Sequence, residues 1–309
     1  MKYSIVFPGQ GSQSIGMLSD LSSNFSIVSE IFQEASDALG VDLWKIAQED
    51  QEALNLTENT QPIMLASGYA TYKVLSNEVK LSPVCMAGHS LGEYTALVAS
   101  KSLNFFDAVK LVRRRAELMQ SAVPKGSGSM AAVLGLDDAK VIEICAQSSS
   151  YGVVEAVNFN SPGQVVIAGE KEAVIKACDE MKEAGAKRAL VLPISVPSHC
   201  SLMTDAAEEF KTSVDTVNFQ LGNVRVIHNV DADYARDVEE IKSKLVEQLH
   251  KPVLWTSSVE KMKQSGVEKF IEVGPGKVLA GLTRRIDKSL SGSAIIDVAT
   301  LKSTIEELS

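Results

Sequence analysis

Histidine and cysteine are both scarce in this 309-residue chain, with four of each. The cysteines (Cys85, Cys145, Cys178, Cys200) stand far apart and form no C-x-x-C pair. That spacing excludes a zinc-ribbon framework and a disulfide-stapled fold, and it reads as reduced thiols. No apolar run approaches the ~18 residues of a membrane-spanning helix. The stretch Tyr3–Phe7 stops at Pro8-Gly9, too soon for the core of a signal peptide. Positive charge is in the minority, 30 Lys and Arg against 39 Asp and Glu, for a net charge of −9. This argues against general nucleic-acid binding and against adhesion to an anionic membrane. With 45% hydrophobic and 22% charged residues, the chain is neither disordered nor fibrous. The expectation is a cytoplasmic protein of about two domains, or one elaborated domain.

Strand-like and helix-like segments alternate, which predicts an α/β architecture. Tyr3–Phe7 reads as a first strand running into Pro8-Gly9-Gln10-Gly11-Ser12-Gln13. Ile27, Val28, Ile31, Phe32, Ala35 and Leu39 recur at helical spacing and meet a stop at Gly40. A second helix is predicted from Pro62 to Asn77, with the proline near its first turn. A short strand, Pro83–Ala87, leads into Gly88-His89-Ser90-Leu91-Gly92 and a helix. Val123 to Gly128 reads as a linker. Beyond it come strand 129–135, helix 137–148, strands 153–159 and 164–169 around the turn Asn160-Ser161-Pro162-Gly163, helix 171–184 and strand 187–192. The order β-α-β-β-α-β is ferredoxin-like. The chain then returns to the larger unit through strand 224–228, helix 238–250, helix 255–265, strand 268–272 and helix 277–286. The predicted domains are a core of 1–124 and 197–309 and an insertion of 125–196.

Gly88-His89-Ser90-Leu91-Gly92 fits G-x-S-x-G between a strand and a helix, the setting of a nucleophile elbow. Flanking glycines open the approach to Ser90, and free N–H groups at a helix start favour the charge of a tetrahedral intermediate. A chance match is the alternative, and the strand–turn–helix context weighs against it. A serine needs a base. His89 lies inside the elbow and reads as structural, His228 as a strand-end residue, and His250 as a helix-end or solvated one. His199, in the Pro-held segment Val196-Pro197-Ser198-His199-Cys200, leads. No acid between Ser90 and His199 stands out as its partner, and Asp205 belongs to the following helix. A backbone or amide oxygen could hold the imidazole instead.

Six segments occur in order: Phe7-Pro8-Gly9-Gln10-Gly11-Ser12-Gln13, Gly88-His89-Ser90-Leu91-Gly92-Glu93, Arg115, Asn158–Gln164, Ser195-Val196-Pro197-Ser198-His199 and Val273-Gly274-Pro275-Gly276. Together they closely resemble the malonyl-CoA:acyl carrier protein transacylases, over nearly the whole chain. The resemblance implies an α/β-hydrolase-like core with a parallel sheet and an inserted ferredoxin-like subdomain, in agreement with the pattern above. It implies that Ser90 is the nucleophile and His199 its base and acid, with a carbonyl of Gln248 orienting the imidazole. The main-chain N–H groups of Gln10 and Leu91 would form an oxyanion hole, which explains the Gly-rich first loop. A dinucleotide cradle is rejected, because Ser14 breaks G-x-G-x-x-G. Arg115 matches the family's carboxylate-binding arginine, whose planar fork can hold both oxygens. Asn160 and Met119 match positions lining the acyl pocket. Arg113 and Arg114 read as a solvated helix face. Leu91 fits malonyl-type members, where methylmalonyl-selective domains commonly carry Gln.

The implied reaction is malonyl transfer from malonyl-CoA to holo-acyl carrier protein through a serine ester, supplying fatty-acid synthesis, by a monomer with no metal and no bound cofactor. A discrete acyltransferase of a polyketide synthase could share every site residue. A serine esterase or thioesterase fits less well, given Arg115 and the missing triad acid, and a non-catalytic binding protein is the remaining reading. CoA carries phosphates and acyl carrier proteins are acidic, so a chain of net charge −9 needs local basic patches to bind them. Lys110, Arg113, Arg114, Lys187, Arg188, Lys277, Arg284 and Arg285 are the candidates.

Overall fold

Tyr3-Ser4-Ile5-Val6-Phe7 is buried at all five positions. A strand covered on both faces needs no polar alternation, and this one sits at the centre of a sheet. The computed structural model describes residues 1–194 and 196–309, so Ser195 lies outside the described residues. Its strands in chain order are β1 (Tyr3–Phe7), β2 (Met86–Gly88), β3 (Gly128–Leu134), β4 (Val154–Ser161), β5 (Gln164–Glu170), β6 (Arg188–Val191), β7 (Val226–Ile227), β8 (Lys269–Val273) and β9 (Ser291–Ile295). One sheet has the order β7-β2-β1-β8-β9 with every neighbour parallel. Ile5 pairs with both Met86 and Ile271, so the ends of β1 and β2 lie side by side and their loops meet above the sheet edge. That carboxyl edge is where open parallel sheets place their ligands.

The other sheet, β4-β5-β3-β6, is wholly antiparallel. Helices Asp138–Gln147 and Lys171–Glu183 close the β-α-β-β-α-β order and bury Val141, Ile144, Val174 and Met181 against Val165 and Ile167. The fold is therefore the mixed α/β arrangement expected, a parallel sheet with a separate antiparallel one. The two sheets are stitched beside β4. Phe159 N–H donates to the Val253 carbonyl at 3.0 Å, and Val253 N–H donates to the Val157 carbonyl at 2.8 Å.

Four local expectations change. The second helix runs Thr57–Glu78, so Pro62 lies inside it and not in its first turn. A proline there has no N–H for the carbonyl four residues back. Arg113 Nη1 donates to that Glu58 carbonyl at 3.3 Å and to Asn59 Oδ1 at 3.0 Å, while Arg113 Nε meets Glu117 at 2.8 Å. Arg113 thus joins two helices and is not part of a free solvated face. Arg114 is paired with Glu209. Strand 224–228 shrinks to Val226–Ile227, because His228 N–H turns to the Asp233 carbonyl at 3.0 Å and leaves the ladder. Helix 238–250 is regular only to Glu247, and its looser last turn carries Gln248.

Candidate active site

Ser90 takes the left-handed backbone conformation, φ 50°, which a non-glycine residue holds only when its surroundings impose it. Two close approaches impose it. A Cβ on Gly88 would lie 1.9 Å from the Gly92 carbonyl, and one on Gly92 would lie 2.1 Å from the Phe7 carbonyl. Asn229 clamps the turn from the far side. Ser90 N–H donates to Asn229 Oδ1 at 2.7 Å, and Asn229 Nδ2 donates to the Gly88 carbonyl at 2.8 Å. The elbow is therefore over-determined by backbone, and Ser90 Oγ faces away from it.

His199 Nε2 lies 2.8 Å from Ser90 Oγ, and its Nδ1 lies 2.6 Å from the Gln248 carbonyl oxygen. A carbonyl only accepts, so Nδ1 carries the proton and Nε2 is left to accept from the serine. His199 also has a left-handed backbone, φ 67°, and its N–H donates to the Leu249 carbonyl at 2.9 Å. Burial, reinforced by the Arg115 charge, holds the His199 imidazole down at about 3 despite its bond to Gln248. The ring is neutral at physiological pH and free to accept a proton.

Arg115 is 1% exposed. Its Nη1 donates to Gln61 Oε1 at 2.7 Å, and its Nη2 donates to Gln248 Oε1 at 2.9 Å and to Ser90 Oγ at 3.2 Å. The guanidinium lies 5.5 Å over the Tyr94 ring, and its Nε is buried with no partner. Among the described residues it forms no ion pair. A buried cation with neutral partners and a spare donor has the chemistry to accept a carboxylate.

These groups open on a cavity of about 550 Å³ lined also by Gln10, Leu91, Met119 and Asn160. The Gln10 side chain turns away to Thr57 Oγ1 at 3.3 Å. The main-chain N–H groups of Gln10 and Leu91 make no hydrogen bond among the described residues. His89 Nε2 donates to Asn160 Oδ1 at 2.8 Å, tying the elbow to β4, and burial pushes its basicity down. His228 and His250 stand outside this cavity. His228 is buried and bonded through Nδ1 to Glu93 at 2.7 Å.

Sequence reasoning singled out Ser90, His199, Gln248, Arg115, Gln10, Leu91, Asn160 and Met119; seven of them line this cavity, and Gln248 is buried behind it, bonded to His199 and Arg115. It missed Gln61, Glu93 and Asn229. Glu93 accepts from His228 Nδ1, from Asn229 N–H at 2.9 Å and from Gln248 Nε2 at 2.8 Å. Glu93 ends the segment Gly88–Glu93 that carries the resemblance and sits in the first turn of helix Gly92–Ala99, but nothing local marks its partners. Nothing in the local sequence marks Asn229.

The model of the acyl transferase domain family matches residues 4–304. A malonyl CoA-acyl carrier protein transacylase of Haemophilus influenzae is 52% identical over 309 residues, covering 99% of each chain. The solved acyl carrier protein S-malonyltransferase of Vibrio cholerae is 51% identical with a TM-score of 0.96, over 98% of this chain and 100% of its own. A malonyl-transacylase solved in complex with a type II PKS acyl-carrier protein is 47% identical with a TM-score of 0.98, over 99% of this chain and 100% of its own. With its elbow serine, its histidine and its buried arginine in one cavity, the chain belongs to the acyl transferase domain family, beside the malonyl CoA-acyl carrier protein transacylases.

Proposed function

We propose that this acyltransferase moves the malonyl group from malonyl-CoA to the phosphopantetheine thiol of holo-acyl carrier protein through a malonyl ester of Ser90. The observation that carries the reading is a serine oxygen 2.8 Å from a neutral imidazole and 3.2 Å from a buried guanidinium that has no carboxylate partner among the described residues. Ser90 Oγ attacks the thioester carbonyl while its proton passes to His199 Nε2. The Oγ–C bond forms, the C–S bond breaks, and His199 returns the proton to the leaving CoA sulfur. The carrier thiol then gives its proton to His199 and attacks the ester in reverse. Gln248, through its carbonyl, fixes the imidazole tautomer in place of an acid. The N–H groups of Gln10 and Leu91 would meet the developing oxyanion, and Arg115 the malonyl carboxylate. Met119 and Asn160 would border the acyl group. The chemistry needs no resident cofactor, since the CoA thioester is the substrate.

We further propose a monomer working in the cytoplasm, built of a core of 1–124 and 197–309 with 125–196 inserted. For the carrier protein, Arg113 and Arg114 are already committed to carboxylates, and Lys110 lies over the Phe106 ring. Lys277, Arg284 and Arg285 are exposed, and Arg285 Nη1 reaches Gln164 Oε1 at 3.1 Å on the cavity wall. These three, with Lys187 and Arg188, form the favoured docking set. Unchanged carrier-protein KM after reversing all five charges would remove it.

Radiolabelled malonyl-CoA should label Ser90, and chase with holo-carrier protein should remove the label. No acyl-enzyme, or equal labelling of Ser90→Ala, would sink the proposal. The relative solved with a PKS carrier keeps a second reading open, malonyl loading of a polyketide carrier. Parallel assays with fatty-acid and polyketide carriers distinguish the two.

A further inference from the structure

Ser90 Oγ has two partners in this cavity, and they pull in opposite senses. It donates to His199 Nε2 at 2.8 Å, which prepares it for attack, and it accepts from Arg115 Nη2 at 3.2 Å, which occupies one of its two lone pairs and draws electron density from the attacking oxygen. The same guanidinium bonds Gln248 Oε1 at 2.9 Å, on the residue whose carbonyl holds His199 at 2.6 Å. We infer that Arg115, besides receiving a carboxylate, acts as a brake on Ser90 and His199 that a carboxylate seated on its guanidinium releases.

The inference rests on the acyl-transfer reading above and adds a source of selectivity in the chemical step. When Ser90 attacks, His199 becomes an imidazolium close to a buried guanidinium. Two cations in a water-poor site repel strongly. A malonyl carboxylate on the Arg115 fork cancels that repulsion and draws Nη2 off Ser90 Oγ, so proton transfer and attack are both eased. An acetyl group does neither, and Arg115 stays on the serine. Selection against acetyl-CoA is then expressed in kcat as well as in KM.

The other groups around His199 leave Arg115 as the one that a substrate can neutralise. His89 from the elbow is buried and bonded to Asn160, and Cys200, next in the chain, donates its thiol hydrogen to the Pro197 carbonyl. Glu93 lies behind Gln248, and Glu155 of β4 is spent on Ser201. Arg115 also adds to burial in lowering the basicity of His199. Its neutralisation therefore moves the imidazole upward, toward ordinary histidine strength.

Acetyl plus formate has the heavy atoms of a malonyl group divided in two, with a hydrogen capping each cut end, so sodium formate is the probe. Single-turnover acetylation of Ser90 from acetyl-CoA is followed by mass spectrometry against formate concentration, with sodium chloride matching ionic strength. Formate should accelerate wild-type acetylation saturably, by roughly 3- to 10-fold, and chloride should not. Arg115→Met should load acetyl faster than the wild type without formate and lose the response to it. The acid limb of its pH profile should move to higher pH. Wild-type acetylation that is flat in formate, or an Arg115→Met that loads acetyl no faster than the wild type, overturns the brake. If Arg115→Met does not fold, Arg115→Gln carries the same comparison. Malonyl labelling of wild-type Ser90 runs alongside. Its absence would remove the acyl-transfer reading, whereas its presence with either overturning result removes the brake alone.

Discussion

Replacing Glu93 by leucine would strip one acceptor from three buried donors at once. His228 Nδ1 at 2.7 Å, Asn229 N–H at 2.9 Å and Gln248 Nε2 at 2.8 Å all converge on this carboxylate, which is 0% exposed. Each buried donor left unpaired costs about 1–3 kcal/mol. Gln248 Nε2 retains the Ser90 carbonyl at 3.0 Å, and leucine recovers some apolar burial, so the lower half of the summed range applies. The expected loss is about 3–5 kcal/mol. In a chain of this size that lowers the melting temperature by about 10 °C. Glu93→Gln separates charge from shape. Its amide oxygen can still accept from Asn229 and Gln248, and its NH₂ can face His228 once that ring adopts the other tautomer. It should cost about 1 kcal/mol. Thermal and urea denaturation at neutral pH, fitted together, measure both variants. A Glu93→Leu protein within about 1 kcal/mol of the wild type would show that these donors find other partners, and the reasoning would fail.

Gly92→Ala drives a Cβ to 2.1 Å from the Phe7 carbonyl, an overlap with backbone that no side-chain movement relieves. It should cost about 3 kcal/mol or more and displace Ser90, so melting and acylation should fall together; a folded, fully active variant would contradict the close approach. Asn229→Ala frees the elbow, and acyl-enzyme formation should drop ~10- to 100-fold with CoA-ester affinity little changed, as read by single-turnover kinetics. Glu272 is buried where β8 meets helix Val278–Ile286, and burial raises its carboxyl to about 6 even though it accepts Ala280 N–H at 2.8 Å. Its folded-state value exceeds the unfolded one, so its contribution is full at low pH and is lost as pH rises through about 6. Glu272→Gln should therefore gain about 2 kcal/mol relative to the wild type between acid and mildly alkaline pH, and a pH-independent difference in denaturation would refute this.

How much of the protein is legible in its sequence depends on how local the cause is. The five buried residues of β1, the strand–glycine–helix run around Ser90 and the β-α-β-β-α-β order are neighbour-to-neighbour patterns, and each reads correctly in the chain. Pro62 misleads because its cost depends on Arg113, which lies 51 positions along the chain and satisfies the carbonyl the proline abandons. The 224–228 strand misleads because His228 finds a better partner in the turn to Asp233 than in the ladder.

The residues around Ser90 divide along the same line. The sequence by itself determined the α/β class, the elbow and the shortlist of histidines, and it offered no intervening acid that stood out as a partner for the base. Only the tertiary structure decided that His199 Nδ1 meets the carbonyl of Gln248 and not a carboxylate. It alone left Arg115 buried with no counterion among the described residues, and it alone set Glu93 and Asn229 behind the elbow. The physical reason is the same in each case. Hydrogen bonds between buried groups are chosen by which donors and acceptors the folded backbone brings within about 3 Å. For Ser90 and His199 that separation in sequence is 109 residues, and no local pattern spans it.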